Sequence, residues 1–152
     1  MKILAEALEE NIVLEELDIS LNEVTPVGSA YIAEVIPRTG LKYFNISKNF
    51  LGDEAFQLYA DKIAEFGDVS RLSKLDFSSC RIGDEGILYF LKTLSEYNNL
   101  SSLRIADNFI SEKIEKVLIE IIELNKNLLE FKVEGNRISL SCLSRYFEIF
   151  SR

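Results

Sequence analysis

The sequence predicts an α/β solenoid in which short parallel strands alternate with helices. Three observations point to it. The stretch from Leu100 to Ile110 reads L-x-x-L-x-I-x-x-N-x-I, and versions of it occur five times. Its first apolar position recurs at Leu14, Leu41, Leu72, Leu100 and Leu128, and self-similarity at a period in this range marks stacked supersecondary units. Between the motifs lie helical patterns, of which Ile114, Val117, Leu118, Ile121 and Ile122 at i, i+3, i+4, i+7 and i+8 give the clearest apolar face.

Within each repeat the residues divide by offset from that first apolar position. Offset three carries Leu17, Phe44, Leu75, Leu103 and Phe131, and offset five Ile19, Ile46, Phe77, Ile105 and Val133. Alternation of this kind is a strand with one buried face, so these side chains point inward and offsets two, four and six point outward. Offset eight carries Asn22, Asn49, Cys80, Asn108 and Asn136, and offset ten Val24, Leu51, Ile82, Ile110 and Ile138. The asparagines are expected to form a structural ladder, since a side-chain amide can satisfy backbone groups that the turn would otherwise orphan. Such groups left buried and unpaired cost ~1–3 kcal/mol each.

Taken in order, the chain opens with a helix over 2–12, its stripe set by Ile3, Leu4, Ala7 and Leu8. It is the helix of an incomplete repeat, either a cap or the remnant of a longer array. Repeats then start at 14, 41, 72, 100 and 128, and 1–152 is expected to form a single domain. In the first repeat Gly28 allows close packing, with Ile32, Val35 and Ile36 inward. The next two helices open on Gly52-Asp53-Glu54 and Gly83-Asp84-Glu85, acids expected to cap free amides and to meet the positive end of the helix dipole. Ser111 and Ser139 take the corresponding place later. The second repeat is longer, and the excess falls near 66–71. The last helix, roughly 140–150, carries Leu143, Tyr146, Phe147 and Phe150 on one stripe. Either something else covers that edge or the rings fold back over their own repeat.

These residues resemble those of leucine-rich repeat proteins, specifically the long-repeat, ribonuclease-inhibitor-like subfamily. The resemblance implies a right-handed α/β horseshoe segment, with the parallel strands on the concave face and the helices on the convex face. It covers nearly the whole chain, yet the fold hosts many unrelated tasks. Members of the subfamily occur in ciliary axonemes, tropomodulin-like members cap actin filaments, and others regulate enzymes or GTPases.

Composition narrows the classes. At 152 residues with a net charge of −8, the chain is an ordinary globular size but poorly suited to nucleic acid or anionic membrane surfaces. No stretch reaches the ~18 apolar residues of a spanning helix. There is no histidine, which removes Ser-His and Cys-His nucleophile pairs and most catalytic zinc sites. No enzyme activity, cofactor or metal is expected. Cys80 and Cys142 read as small buried thiols in a reducing compartment. Asn45-Ile-Ser47 and Asn99-Leu-Ser101 match glycosylation acceptors, but each overlaps a predicted strand.

What remains is surface. Candidate partner-binding positions on the concave face are Glu16, Tyr43 and Lys74 at offset two and Asp18, Asn45, Asp76, Arg104 and Lys132 at offset four, where the charge turns from acidic to basic along the chain. Offset six is mostly small: Ser20, Ser47, Ser78 and Ala106 before Glu134. Offset nine, on the rim, adds Glu23, Phe50, Arg81, Phe109 and Arg137, of which the exposed aromatics Phe50 and Phe109 are not required by the fold. The expected function is a non-enzymatic interaction or scaffold module that binds a protein partner through the concave sheet and rim. The alternatives are a structural subunit of a cytoskeletal or ciliary assembly, associating through open ends at Phe147 and Phe150, and a regulator of an enzyme or GTPase. The expected location is cytoplasmic, and cytoskeletal or ciliary within it.

Overall fold

A computed structural model describes every residue except Glu10, Asp68, Glu96, Asn98 and Arg152. Glu10 of the expected helix 2–12, Asp68 of the longer connection 66–71 and the last residue of the expected domain therefore lie outside the described residues. Helices α1 (Lys2–Glu9), α2 (Pro26–Val35), α3 (Gly52–Glu65), α4 (Asp84–Thr93), α5 (Glu115–Leu124) and α6 (Leu140–Phe150) alternate with strands β1 (Glu16–Asp18), β2 (Tyr43–Asn45), β3 (Lys74–Asp76), β4 (Ser102–Arg104) and β5 (Glu130–Lys132). The strands form one parallel sheet in chain order β1-β2-β3-β4-β5. Its register sets Leu17 beside Phe44, Phe44 beside Leu75, Leu75 beside Leu103 and Leu103 beside Phe131, so equal offsets stand side by side. Parallel strands sit ~4.8 Å apart while packed helices need ~8–10 Å, and a stack of both must curve with its sheet on the inside. The fold is the α/β solenoid that the spacing implied, with the parallel strands and helices in the places that the resemblance led us to expect.

Each strand is short because the backbone turns away at a fixed point. At offset seven, Leu21, Lys48, Ser79, Asp107 and Gly135 all have left-handed backbone, with φ of 58°, 57°, 55°, 53° and 74°. Only Gly135 adopts that region without steric cost, typically ~1–2 kcal/mol for other residues. The conformation aims the offset-seven N–H at the next repeat: Leu21, Lys48, Ser79 and Asp107 donate to the carbonyls of Ser47, Ser78, Ala106 and Glu134 at 3.0, 2.8, 2.8 and 2.8 Å. Leading into the strands, Asn11, Thr39, Ser70 and Asn125 accept from backbone N–H groups two or three residues on. These turns restrict the backbone before pairing begins.

The core runs between sheet and helices, and it is thickest in the second and third repeats. Phe56 and Phe90 stack at 4.2 Å, while Phe77 meets Phe56 and Tyr59 edge-on at 4.9 and 5.0 Å. Tyr59 is fully buried, and its hydroxyl receives a bond from Ser29 Oγ at 3.1 Å. Gly28 sits against the Met1 side chain, which precedes α1, as close packing there requires.

Three expectations about faces need correction. In α1 the described helix ends at Glu9, and its buried residues are Ala5 and Leu8; Ile3 is 81% exposed and Ala7 faces out. In α5, Ile114, Leu118 and Ile122 are buried, but Val117 is exposed. A periodic stripe gives only an approximate arc, and the neighbouring helix decides which edge of it is covered. Asn99 precedes β4 in a turn and is not part of the strand; its amide donates to the Ser70 carbonyl at 2.9 Å.

Candidate interaction surface

The inner framework comes first, because it decides which polar groups are free. Asn49 is fully buried. Its Oδ1 accepts from Asn22 and Val24 N–H of the preceding repeat at 3.2 and 2.8 Å, and its Nδ2 donates to the carbonyls of Ile19, Ile46 and Ser47. Asn108 does the same for Cys80 and Ile82 N–H at 2.9 and 3.0 Å and for the Phe77, Ile105 and Ala106 carbonyls. Asn136 accepts from Ile110 and donates to Ile105 and Val133. Asn22 differs: it is exposed and donates to Ser20 alone. Cys80 fills the third rung with a thiol that donates weakly to the Ile46 and Ser78 carbonyls, at 3.4 and 3.5 Å. Burial pushes that thiol up to about 12.

A second ladder binds the helix starts. Asp53 accepts from Gly83 N–H, and Asp84 from Ser111 N–H and Oγ–H at 2.7 and 2.6 Å. Glu115 holds Ser139 in the same way. Asp53 and Asp84 therefore clasp the next repeat, and neither α3 nor α4 has a side-chain cap of its own. Gly83 and Gly86 make room for this: a Cβ on Gly86 would meet Asp53 Oδ1 at 2.5 Å. Ser111 and Ser139 do cap their own helical turns, through Lys113 and Cys142 N–H.

The outward strand positions are less free than their polarity suggests. At offset four, Asp18, Asn45 and Asp76 turn back to accept from Ser20, Ser47 and Ser78 N–H at 2.8, 2.9 and 2.9 Å, which terminates each strand. Asn45 is buried and also donates to Asp18 Oδ2 at 2.9 Å. The bonds from Ser20 hold the Asp18 carboxyl below its ordinary range. Arg104 pairs with Glu130 at 3.2 Å, and Lys132 lies 3.9 Å from Glu134. Glu130 in turn accepts from Ser102 Oγ at 2.6 Å, and that bond is the main reason its pKa is lowered. The basic end of offset four is thus paired with Glu130 and Glu134, while Asp18 and Asp76 at the acidic end are held by neutral hydrogen bonds. Glu16, Tyr43, Lys74 and Arg104 line a shallow hollow of about 250 Å³ on the strand face. Burial and the Asp76 and Asp18 carboxylates raise the Tyr43 hydroxyl.

On the rim, Phe50 and Phe109 are 45% and 55% exposed. Phe50, Phe109 and Arg137 each donate a backbone N–H to the offset-ten carbonyl of the preceding repeat, at 3.0, 2.7 and 2.9 Å. The row is therefore as closely spaced as the strands. The Arg81 guanidinium lies 4.3 Å above the Phe50 ring.

At the C-terminal edge one ring of the aromatic stripe folds back over its own repeat and another stays exposed. Tyr146 folds back against Phe131, with ring centroids 5.7 Å apart, and is buried; its hydroxyl lies next to the Cys142 side chain. Phe147 is 67% exposed and Phe150 half-buried. With Leu129, Phe131 and Leu143 they line a hollow of about 310 Å³ beside β5, whose other edge pairs with no strand among the described residues.

A leucine-rich repeat family model matches residues 10–33 and 72–91. No curated protein matches the chain by sequence. Among solved structures, actin-binding site 2 of leiomodin-1 superposes with a TM-score of 0.84 at 19% identity, over 97% of this chain and 86% of that one. The tropomodulin C-terminal domain of Caenorhabditis elegans gives 0.79 at 17% identity, over 99% and 91%. An internalin of Listeria monocytogenes gives 0.58 at 22% identity, covering 95% of this chain but 34% of its own. At these identities the shared property is the fold.

Proposed function

We propose that this leucine-rich repeat chain is a non-catalytic module that binds a protein partner through its concave sheet and adjoining rim, in an actin-linked cytoskeletal setting. The observation that carries the reading is what remains once the ladders are accounted for. Glu16, Tyr43 and Lys74 on the strands and Phe50 and Phe109 on the rim present side chains outward without serving either ladder. Aromatic side chains held on rigid backbone cost little entropy to bury and are over-represented among binding hot spots. The actin-linked part is supported by likeness over most of the chain to a leiomodin-1 domain named for binding actin. Of the two settings left open, that likeness favours the actin cytoskeleton over the cilium. The test is affinity capture from native lysate with mass spectrometry, followed by titration of labelled chain with purified monomeric actin. One stoichiometric partner and saturable actin binding are expected. Capture without any stoichiometric protein overturns the module, and capture of a partner other than actin overturns the actin assignment alone.

A second reading, a subunit packed within a larger assembly, is favoured by the hollow beside β5. Leu129 and Phe147 are 73% and 67% exposed there, next to a sheet edge with unpaired backbone groups. Such an edge is a template for another strand.

A further inference from the structure

The rim row carries charge as well as aromatic surface, and the two are interleaved. From the second repeat to the fifth, offset nine reads Phe50, Arg81, Phe109, Arg137. Arg38, Arg104 and Arg145 each pair with a carboxylate. Among the described residues Arg81 and Arg137 have no such partner, and both are exposed. Asp53 and Asp84 accept bonds from Gly83 and Ser111 N–H, and neither forms an ion pair with these arginines. In a chain of net charge −8, two exposed arginines outside any ion pair on one rim are available to an acidic partner. Lying over the Phe50 ring also restricts the Arg81 guanidinium before anything binds, so less entropy is lost on contact. Arg81 keeps this place on left-handed backbone, φ 63°, where glycine is easier.

We propose that Phe50, Arg81, Phe109 and Arg137 form a docking stripe for an acidic, apolar-centred helix of a protein partner. The spacing selects that occupant. Arg81 and Arg137 are two repeats apart, about 10 Å at strand spacing. Residues i and i+7 on one helix face are separated by about the same distance. Carboxylates at i and i+7 meet the two arginines, and apolar residues at i+3 and i+4 cover Phe109 between them. A basic helix of the same shape is repelled. The inference deepens the interaction-module reading by naming its partner's chemistry.

The test uses the full chain and two synthetic helical peptides, with Leu at i+3 and i+4 and either Glu or Lys at i and i+7. Fluorescence anisotropy should give saturable binding of the Glu peptide, weakening as salt rises, and none of the Lys peptide. Arg81→Glu with Arg137→Glu should lower Glu-peptide affinity roughly ten-fold or more, since both charge contacts become repulsive. Phe109→Ser alone should lower it with the salt dependence retained. Equal binding of the two peptides, or indifference to the arginine exchanges in a protein with unchanged circular dichroism, overturns the stripe. The same variants are then run against the captured partner. If that partner binds them as it binds wild type, the stripe fails while the module stands; if the peptide is bound but no protein is captured, the reverse holds.

Discussion

Asn108→Ala should be among the most costly single substitutions in the chain. The side chain is 4% exposed and makes five bonds, two of them accepted from Cys80 and Ile82 N–H. Both residues are fully buried, so removing the amide leaves two donors without water. Each unpaired buried donor costs ~1–3 kcal/mol, and the Phe77 carbonyl loses its bond as well. Roughly 3–5 kcal/mol is expected together, a large share of the ~5–15 kcal/mol that holds a domain folded. For a chain of this size that corresponds to a fall in Tm of about 10 °C or more. Urea unfolding followed by circular dichroism measures it, with Asn22→Ala as the matched control. Asn22 occupies the same offset but is exposed and bonds only Ser20, so its loss should stay within about 0.5 kcal/mol. If the two substitutions cost the same, or Asn108→Ala costs less than about 1 kcal/mol, the ladder is not what satisfies these turns.

Cys80→Asn should stabilise by up to about 1 kcal/mol, because an amide can accept as well as donate where the thiol donates weakly at 3.4 Å; chemical denaturation reads the change, and unfolding would reveal a packing role for sulfur. Alkaline pH should destabilise the protein. Burial raises Cys80 from its ordinary 9.0 to about 12 and also raises Tyr59 and Tyr146. The unfolded chain therefore loses its thiol proton first, so stability is held below pH 9 and drops towards pH 12; for Cys80 the slope is at most ~1.4 kcal/mol per unit. A flat profile over that window contradicts the burial. Asp84→Ala should cost about 2 kcal/mol, through two charge-assisted bonds to Ser111, and loosen the third repeat from the fourth, visible as faster hydrogen exchange at Ser111. Phe147→Ser should leave Tm within a few degrees and reduce self-association in light scattering, whereas a strict wild-type monomer at high concentration would leave nothing for it to reduce.

The repeat spacing made the architecture legible, because stacking between neighbours buries offsets three, five and ten, and offset eight wherever a repeat lies on both sides. The left-handed turn at offset seven was hidden, since Leu21, Lys48, Ser79 and Asp107 are not residues that advertise it. The clasps are hidden in the sequence for a different reason. An acid at a helix start ordinarily serves its own helix, and only the stacking distance brings Asp53 to Gly83 and Asp84 to Ser111. At offset four the signal was present: an Asp or Asn followed two residues later by Ser is the pattern of a side chain returning to its own backbone, as Asp18, Asn45 and Asp76 do. The polarity of those positions alone does not reveal the returning bond, because the N–H it satisfies lies two residues further on. The pairing of Arg104 with Glu130 was beyond the sequence, because it depends on offsets two and four of adjacent strands facing one another.

The role of the outward aromatics is tested most directly by dissociation kinetics of the captured partner from immobilised wild-type, Phe109→Ala and Tyr43→Ala chains, each first shown to keep its unfolding temperature. An anchor buried in an interface contributes ~2 kcal/mol or more, so at least one of the two substitutions should speed release about thirty-fold. Arg104→Glu with Lys132→Glu sets new carboxylates beside Glu130 and Glu134, so it should slow association and change its salt dependence more than it changes release. Release unchanged in both aromatic variants would place the partner on the helical face or the open ends, and the sheet-and-rim surface would be wrong.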